Sequence, residues 1–176
     1  MFSIFKYFQK SSISPNNKKF LIVGLGNIGE EYKNTRHNIG FDIVDQLGKI
    51  LKGTFNSAKY GDILKSKYAG KQIILLKPNT FMNLSGKAVL YWLKKEKIHT
   101  NNLIVIVDDL NINFGVSRLK PSGSDGGHNG LKDITNSLNT SNFTRLRFGI
   151  GNNFKKKDQV DFVLSKWNNE ESNNLG

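Results

Sequence analysis

The sequence predicts an α/β protein, a single domain in which helices flank a β-sheet. Short apolar runs at 20–23, 72–77 and 103–107 have the length and composition of buried strands. Stretches with apolar residues at helical spacing separate them. The chain of 176 residues shows no internal repeat and no linker, which suits one ordinary hydrophobic core.

Taken in order, residues 1–18 form a basic N-terminal extension with Lys6, Lys10 and Lys18 and no acidic residue. A targeting presequence has this bias, but arginine is absent and the apolar residues are scattered, so a flexible arm is expected. Phe20-Leu21-Ile22-Val23 then reads as a buried strand running into glycines. From Asn38 to about Lys52 the residues Ile39, Ile43, Leu47 and Leu51 recur at helical spacing, with Asn38 as N-cap. His37 thus stands at a helix entrance, where the dipole favours a neutral imidazole, the form a general base requires.

Tyr60 to Ala69 alternates weakly, Gly70-Lys71 reads as a turn and Gln72 to Lys77 as the returning strand, ended by Pro78. A helix follows, with Ala88, Val89, Trp92 and Leu93 on its apolar face. Leu103 to Val107 is the most hydrophobic run and reads as a central strand, with Asp108 and Asp109 at its carboxyl end. Ligands of open α/β sheets bind outside the carboxyl ends of the strands, although two acids there also suit a turn cap. Phe114 to Lys120 reads as a strand, Pro121 to Gly130 as a glycine-rich loop, and Leu131 to Leu138 as a helix capped by Asn129. Arg145 to Gly151 alternates like an edge or half-buried strand, which turns Arg145 and Arg147 to one face. A short helix from Asp158 to Lys166 precedes a polar tail over 167–176.

Lys and Arg number 26 against 14 acidic residues, a formal charge of +12 that favours a polyanionic partner. The absence of cysteine excludes a disulfide framework, a Cys-based zinc site and a thiol nucleophile. No apolar run approaches the ~20 residues that span a bilayer.

Gly24-Leu25-Gly26-Asn27-Ile28-Gly29 matches the G-x-G-x-x-G spacing of dinucleotide folds. Its context argues against that reading. A nucleotide-binding glycine motif opens a helix and is followed ~20 residues on by a strand-end acid; here Glu30 to Arg36 carries no apolar stripe, and Asp42 and Asp45 fall on the helix itself. A different constellation fits better. His37, Asp108 and the carboxamides of Asn27, Asn83 and Asn129 supply a base, an acid to orient it and donors for an oxyanion. With no serine or cysteine at a nucleophile elbow, direct attack by water on an ester is expected. His37, His99 and His128 show no metal-ligand spacing.

Gly24-Leu25-Gly26-Asn27, Thr35-Arg36-His37-Asn38, Thr80-Phe81-Met82-Asn83-Leu84-Ser85-Gly86, Asp108-Asp109-Leu110 and Gly126-Gly127-His128-Asn129-Gly130-Leu131-Lys132-Asp133 together resemble bacterial-type peptidyl-tRNA hydrolases, in order and in register over residues 19–166. The resemblance implies a twisted mixed β-sheet flanked by helices, a monomer without cofactor or metal, and cleavage of the ester between a peptide and the 3′ end of tRNA in the bacterial cytoplasm or an organelle of bacterial descent. It implies that His37 is the general base, that Asp108 orients it, and that Asn27 and Asn129 act at the reaction centre. Tyr32, Met82, Asn83 and Asn129 match positions that line the substrate channel, and Lys120 and Arg147 match a clamp on the tRNA 5′ phosphate. His128 matches a neighbour of the site rather than a second base. Ile28 stands where the family usually has proline, and beyond Lys166 relatives continue into a longer helical lid. The alternative is a catalytically weak RNA-binding or splicing-factor-like module on the same fold.

Overall fold

The computed structural model describes residues 18–175; apart from Lys18, the N-terminal extension expected over 1–18 lies outside them. Seven strands form one mixed sheet: β1 (Lys19–Gly24), β2 (Asn56–Ala58), β3 (Gly61–Tyr68), β4 (Lys71–Pro78), β5 (Leu103–Asp109), β6 (Ser117–Lys120) and β7 (Thr144–Gly149), in the spatial order β2-β3-β4-β1-β5-β7-β6. The central strands β4, β1, β5 and β7 run parallel, whereas β2, β3 and β6 pair antiparallel at the two edges.

Period-two alternation splits the core into two layers. On one face, Leu21, Val23, Ile74, Val105 and Val107 pack under α2 (Ser85–Glu96) and α3 (Asn129–Leu138), with Trp92 and Ile134 fully buried between them. On the other, Phe20, Ile22, Leu75, Ile104 and Ile106 meet Val44 and Leu47 of α1 (Ile39–Ile50). Each such large apolar side chain contributes roughly 1.5–3 kcal/mol by leaving water. The lone polar group of Trp92 is satisfied, since Nε1 donates to the Lys59 carbonyl at 3.0 Å.

Several local expectations are corrected. The hairpin turn is Ala69-Gly70, not Gly70-Lys71: both residues have positive φ (48° and 74°), as a tight turn between right-twisted strands requires, and β4 retains Pro78. Asn38 does not cap α1 with its side chain; residues Arg36–Asn38 form a 3₁₀ turn, and the carboxamide faces Asn27 instead. The cap of α3 is the imidazole of His128, with Asn129 the first helical residue. The strand expected from Phe114 begins only at Ser117, because Phe114 turns to pack on Phe148 and Trp167. Short α4 (Gln159–Leu164) stops before Lys166, which instead bridges to Thr35. The polar tail contains a helical turn, α5 (Asn169–Asn173), begun by an Asn168/Glu171 capping box. The three-residue β2 carries no apolar pattern that the sequence could reveal.

Candidate active site

Because β4, β1 and β5 run parallel, the segments leaving their carboxyl ends converge at one edge of the sheet. The Asn27–His37 loop follows β1, Phe81–Asn83 follows β4, and Asp108 and Asp109 end β5. Between these segments, the start of α3 and the helix α4 lies a cavity of about 480 Å³. It is lined by Asn27, His37, Met82, Asn83, Asp108, His128, Asn129 and Arg147, so most of the residues expected to act together do meet. Tyr32 and Lys120 are not among its lining residues.

Close approach at Gly24 and Gly40 makes this convergence possible. A side chain at Gly24 would run into the Gly40 carbonyl, and one at Gly40 into the backbone of Leu25. Gly24, the first glycine of the G-x-G-x-x-G stretch, and Gly40 therefore let α1 rest directly on the end of β1. This close approach accounts for Gly24 without a phosphate cradle.

His37 Nδ1 lies 2.9 Å from Asp108 Oδ1, and His128 Nε2 reaches the same oxygen at 3.1 Å. Burial alone would raise the pKa of Asp108, but the charge and hydrogen bond of His128, then those of His37, outweigh it and hold the carboxyl well below the usual carboxylate range. An ionised carboxylate only accepts, so both ring nitrogens that face it carry hydrogen. In the neutral ring of His37, Nε2 is then the nitrogen left to accept a proton, and the ring stands at the cavity wall. For His128 the neutral ring is the Nε2–H tautomer, since its Nδ1 accepts from the Leu131 N–H at 3.3 Å.

That tautomer also decides the metal question. His37, Asp108 and His128 place donor atoms within 4.8 Å of one another. A cation would need the Nε2 lone pair of His128, which would move the ring proton to Nδ1 and point it at the Leu131 N–H. The trio suits proton transfer and does not fit a metal.

The asparagines are positioned with equal economy. The Asn27 N–H donates to Asn38 Oδ1 at 2.8 Å, and Asn38 Nδ2 donates to the Asn27 carbonyl at 2.9 Å, so one buried carboxamide pins both sides of the residue. Asn27 Oδ1 accepts from the Met82 N–H at 2.8 Å, which turns its Nδ2 to the other side as a donor. Asn83 and Asn129 are exposed on the cavity wall.

The basic residues are disposed differently. Arg147 donates to Asp109 Oδ2 at 3.1 Å and to the Ser124 carbonyl at 2.7 Å at the cavity's edge. Lys120 is exposed on β6 opposite Arg145. Arg145 shares the face of Arg147 but is fully buried, its Nη1 on the Ser141 and Phe143 carbonyls. Burial, and then the neighbouring Arg147, push its pKa down.

The sequence-model description of the peptidyl-tRNA hydrolase family matches residues 21–176. The chain belongs to the peptidyl-tRNA hydrolase family. Among its relatives, the peptidyl-tRNA hydrolase of Parabacteroides distasonis is 56% identical over 153 residues, covering 87% of this chain and 82% of the relative. That of Aquifex aeolicus is 47% identical and covers 86% and 79%. The crystal structure of the Acinetobacter baumannii peptidyl-tRNA hydrolase superposes with a TM-score of 0.85 at 39% identity, covering 93% of this chain and 84% of that one. The mixed sheet with flanking helices expected from the resemblance is therefore the family's fold.

Two features of this hydrolase-family site escaped the sequence. The His128–Asp108 bond and the Asn38 clip on Asn27 each join loops far apart in the chain or redirect a residue from its commonest local role. The repeated G-H-N and R-H-N arrangement, with each histidine followed by an asparagine, was the available signal.

Proposed function

We infer that this protein hydrolyses the ester that joins a peptide, or an N-blocked amino acid, to the 3′ end of tRNA, and so returns tRNA to translation. The observation that carries the reading is the His37–Asp108 pair opening onto a carboxamide-lined cavity in a chain of this family.

The chemistry follows from the tautomers. His37 Nε2 takes a proton from water as the oxygen attacks the ester carbonyl, and Asp108 stabilises the imidazolium that forms. The carbonyl electrons move to an oxyanion, which the carboxamide of Asn129 and the Nδ2 of Asn27 receive. Collapse expels the ribose oxygen of tRNA, which takes the proton back from His37. The products are free tRNA and a peptide acid, and no cofactor or metal is required. Met82 and Asn83 hold the peptide and the 3′ end, with Tyr32 at the outer channel.

The charge of +12 draws in the polyanion, and Lys120 and Arg147 hold its 5′ phosphate. Because Arg147 is already paired with Asp109, phosphate must compete for that guanidinium. Among the described residues no helix is long and apolar enough to cross a membrane. A monomer acting in the bacterial cytoplasm, where its substrate arises, completes the reading. The RNA-binding module without strong catalysis finds no support, since a pure binder has no chemical use for a tautomer-locked His–Asp–His set.

Incubation with N-acetylated and free aminoacyl-tRNA tests the proposal. Cleavage of the acetylated form with the free form spared is the expected result. Failure to cleave either, in the presence of saturable tRNA binding, would favour the binding module.

A further inference from the structure

We propose that Arg36 is a positioning residue that latches the roof of the cavity to the loop delivering His37; the inference rests on the hydrolase reading and adds a component to it. The roof is α4, whose Gln159, Val160, Val163 and Leu164 line the cavity. Six residues make fewer than two helical turns, and none of them is buried. A helix this short does not hold itself together or in place. Its position must come from contacts with the rest of the chain.

Several of those contacts converge on one side chain. Arg36 is 6% exposed, and its Nη1 donates to Ser165 Oγ at 2.5 Å and to the Lys166 carbonyl at 2.8 Å. Its Nη2 meets Glu171 Oε2 at 2.5 Å, and the guanidinium lies 4.5 Å from the ring centre of Phe162 and 5.3 Å from that of Trp167. The backbone joins in, since the Arg36 N–H donates to the Ser165 carbonyl at 3.1 Å and Thr35 bridges to Lys166. The segment is tied further by aromatic contacts: Trp167 rests on Phe114 and Phe148, and Phe162 stacks on Phe154.

Arg36 is also one peptide bond from His37, inside the same 3₁₀ turn. A guanidinium can hold Ser165, Lys166, Glu171 and two ring faces at once because its fork is planar and carries five donors; an ammonium cannot. Any displacement of the roof is therefore passed to the backbone that sets the His37 ring against Asp108. This gives the enzyme a route by which closing over a peptide completes the alignment of the base.

Arg36→Lys and Glu171→Gln test the latch through two independent readouts: steady-state cleavage of N-acetylated aminoacyl-tRNA, and the NMR signature of the His37 Nδ1–H in the free protein, with thermal unfolding run alongside. Arg36→Lys should lower kcat about 10- to 100-fold, the scale of small misplacements at a reaction centre. It should also shift or broaden the His37 Nδ1–H signal while the protein stays folded. Glu171→Gln, which spares the contacts of Arg36 with Ser165 and Lys166, should act in the same direction more weakly and mainly on KM. If Arg36→Lys does not fold, Ser165→Ala takes its place. The latch is overturned if folded variants keep both kcat and the His37 signal, or lose activity while the signal stays put. The signal is read without substrate, so a wild-type protein that fails to cleave would contradict the hydrolase reading and leave the latch to be judged on its own.

Discussion

Around His37 the side chains of Asp108, Asn27 and His128 are held by buried or half-buried hydrogen bonds, whereas the two basic residues offered to phosphate are disposed more loosely, Lys120 on the edge strand β6 and Arg147 on β7 facing the glycine-rich loop. Asp108 is fixed by two imidazoles, Asn27 by Asn38 and Met82, and His128 by the N–H of Leu131. Lys120, by contrast, is exposed on four-residue β6, and Arg147, though paired with Asp109, gives its other nitrogen to the carbonyl of Ser124 in the loop. The difference matches what each end has to do. Proton transfer needs sub-ångström placement, while attraction of a phosphate acts over ~8–10 Å at physiological salt and tolerates a mobile partner.

This contrast can be broken by substitutions graded along the cavity. Short of removing the base itself, the largest effect is expected from Asp108→Asn, which withdraws the charge that locks the His37 tautomer. Single-turnover cleavage should fall by roughly 10² or more, and a smaller loss would mean that His37 is held by something else. Next comes Asn38→Ala. It leaves the half-buried N–H and carbonyl of Asn27 unanswered, at a cost of about 1–3 kcal/mol in stability, and should slow cleavage about tenfold, read from denaturant unfolding and kinetics on one preparation.

Lys120→Ala should act more gently and in a different quantity. Binding of tRNA should weaken to a similar extent for all tRNAs, and the slope of log affinity against log salt should become shallower by about one. A tRNA-selective loss would mean that Lys120 reads something other than phosphate.

The smallest effect lies outside both ends, on α1. Burial, and then the charge of Asp45, raise the pKa of Asp42 to about 6 despite nearby Lys77. The folded protein then binds more protons than the unfolded chain between about pH 4 and 6, so stability declines as pH rises through that window. Asp42→Asn should stabilise the protein at pH 7 to 8 by about 1 kcal/mol, allowing for partial exposure, and make no difference near pH 4. Asp108 has the opposite sign: its contribution is present above the ordinary carboxylate pKa and is lost as pH falls toward its depressed folded value. Thermal unfolding across this range checks both.

The same contrast explains what the sequence could reveal. The central strands and the meeting of His37, Asp108 and Asn27 at one cavity are legible, because a buried strand ending in polar residues is a one-dimensional signal and the topology brings those ends together. Asn38 stands at the N-cap position of α1 as expected, but its carboxamide does not cap the helix, because only the fold supplies the competing Asn27 backbone. The bond from His128 to Asp108 and the grip of Arg36 on Glu171 join residues 20 and 135 positions apart, with no pattern in between to announce them. The turn at Ala69-Gly70 was missed by one residue because alanine gives no hint of a positive φ.

The central claim is that His37 supplies the base for ester cleavage. Its most direct test is the single-turnover rate of His37→Ala on N-acetylated aminoacyl-tRNA at saturating enzyme, beside wild type, with tRNA affinity measured on the same samples. The expected rate is about 10²- to 10⁴-fold lower with affinity unchanged; a folded His37→Ala protein that cleaves within a few-fold of wild type would contradict the role of His37 as the base.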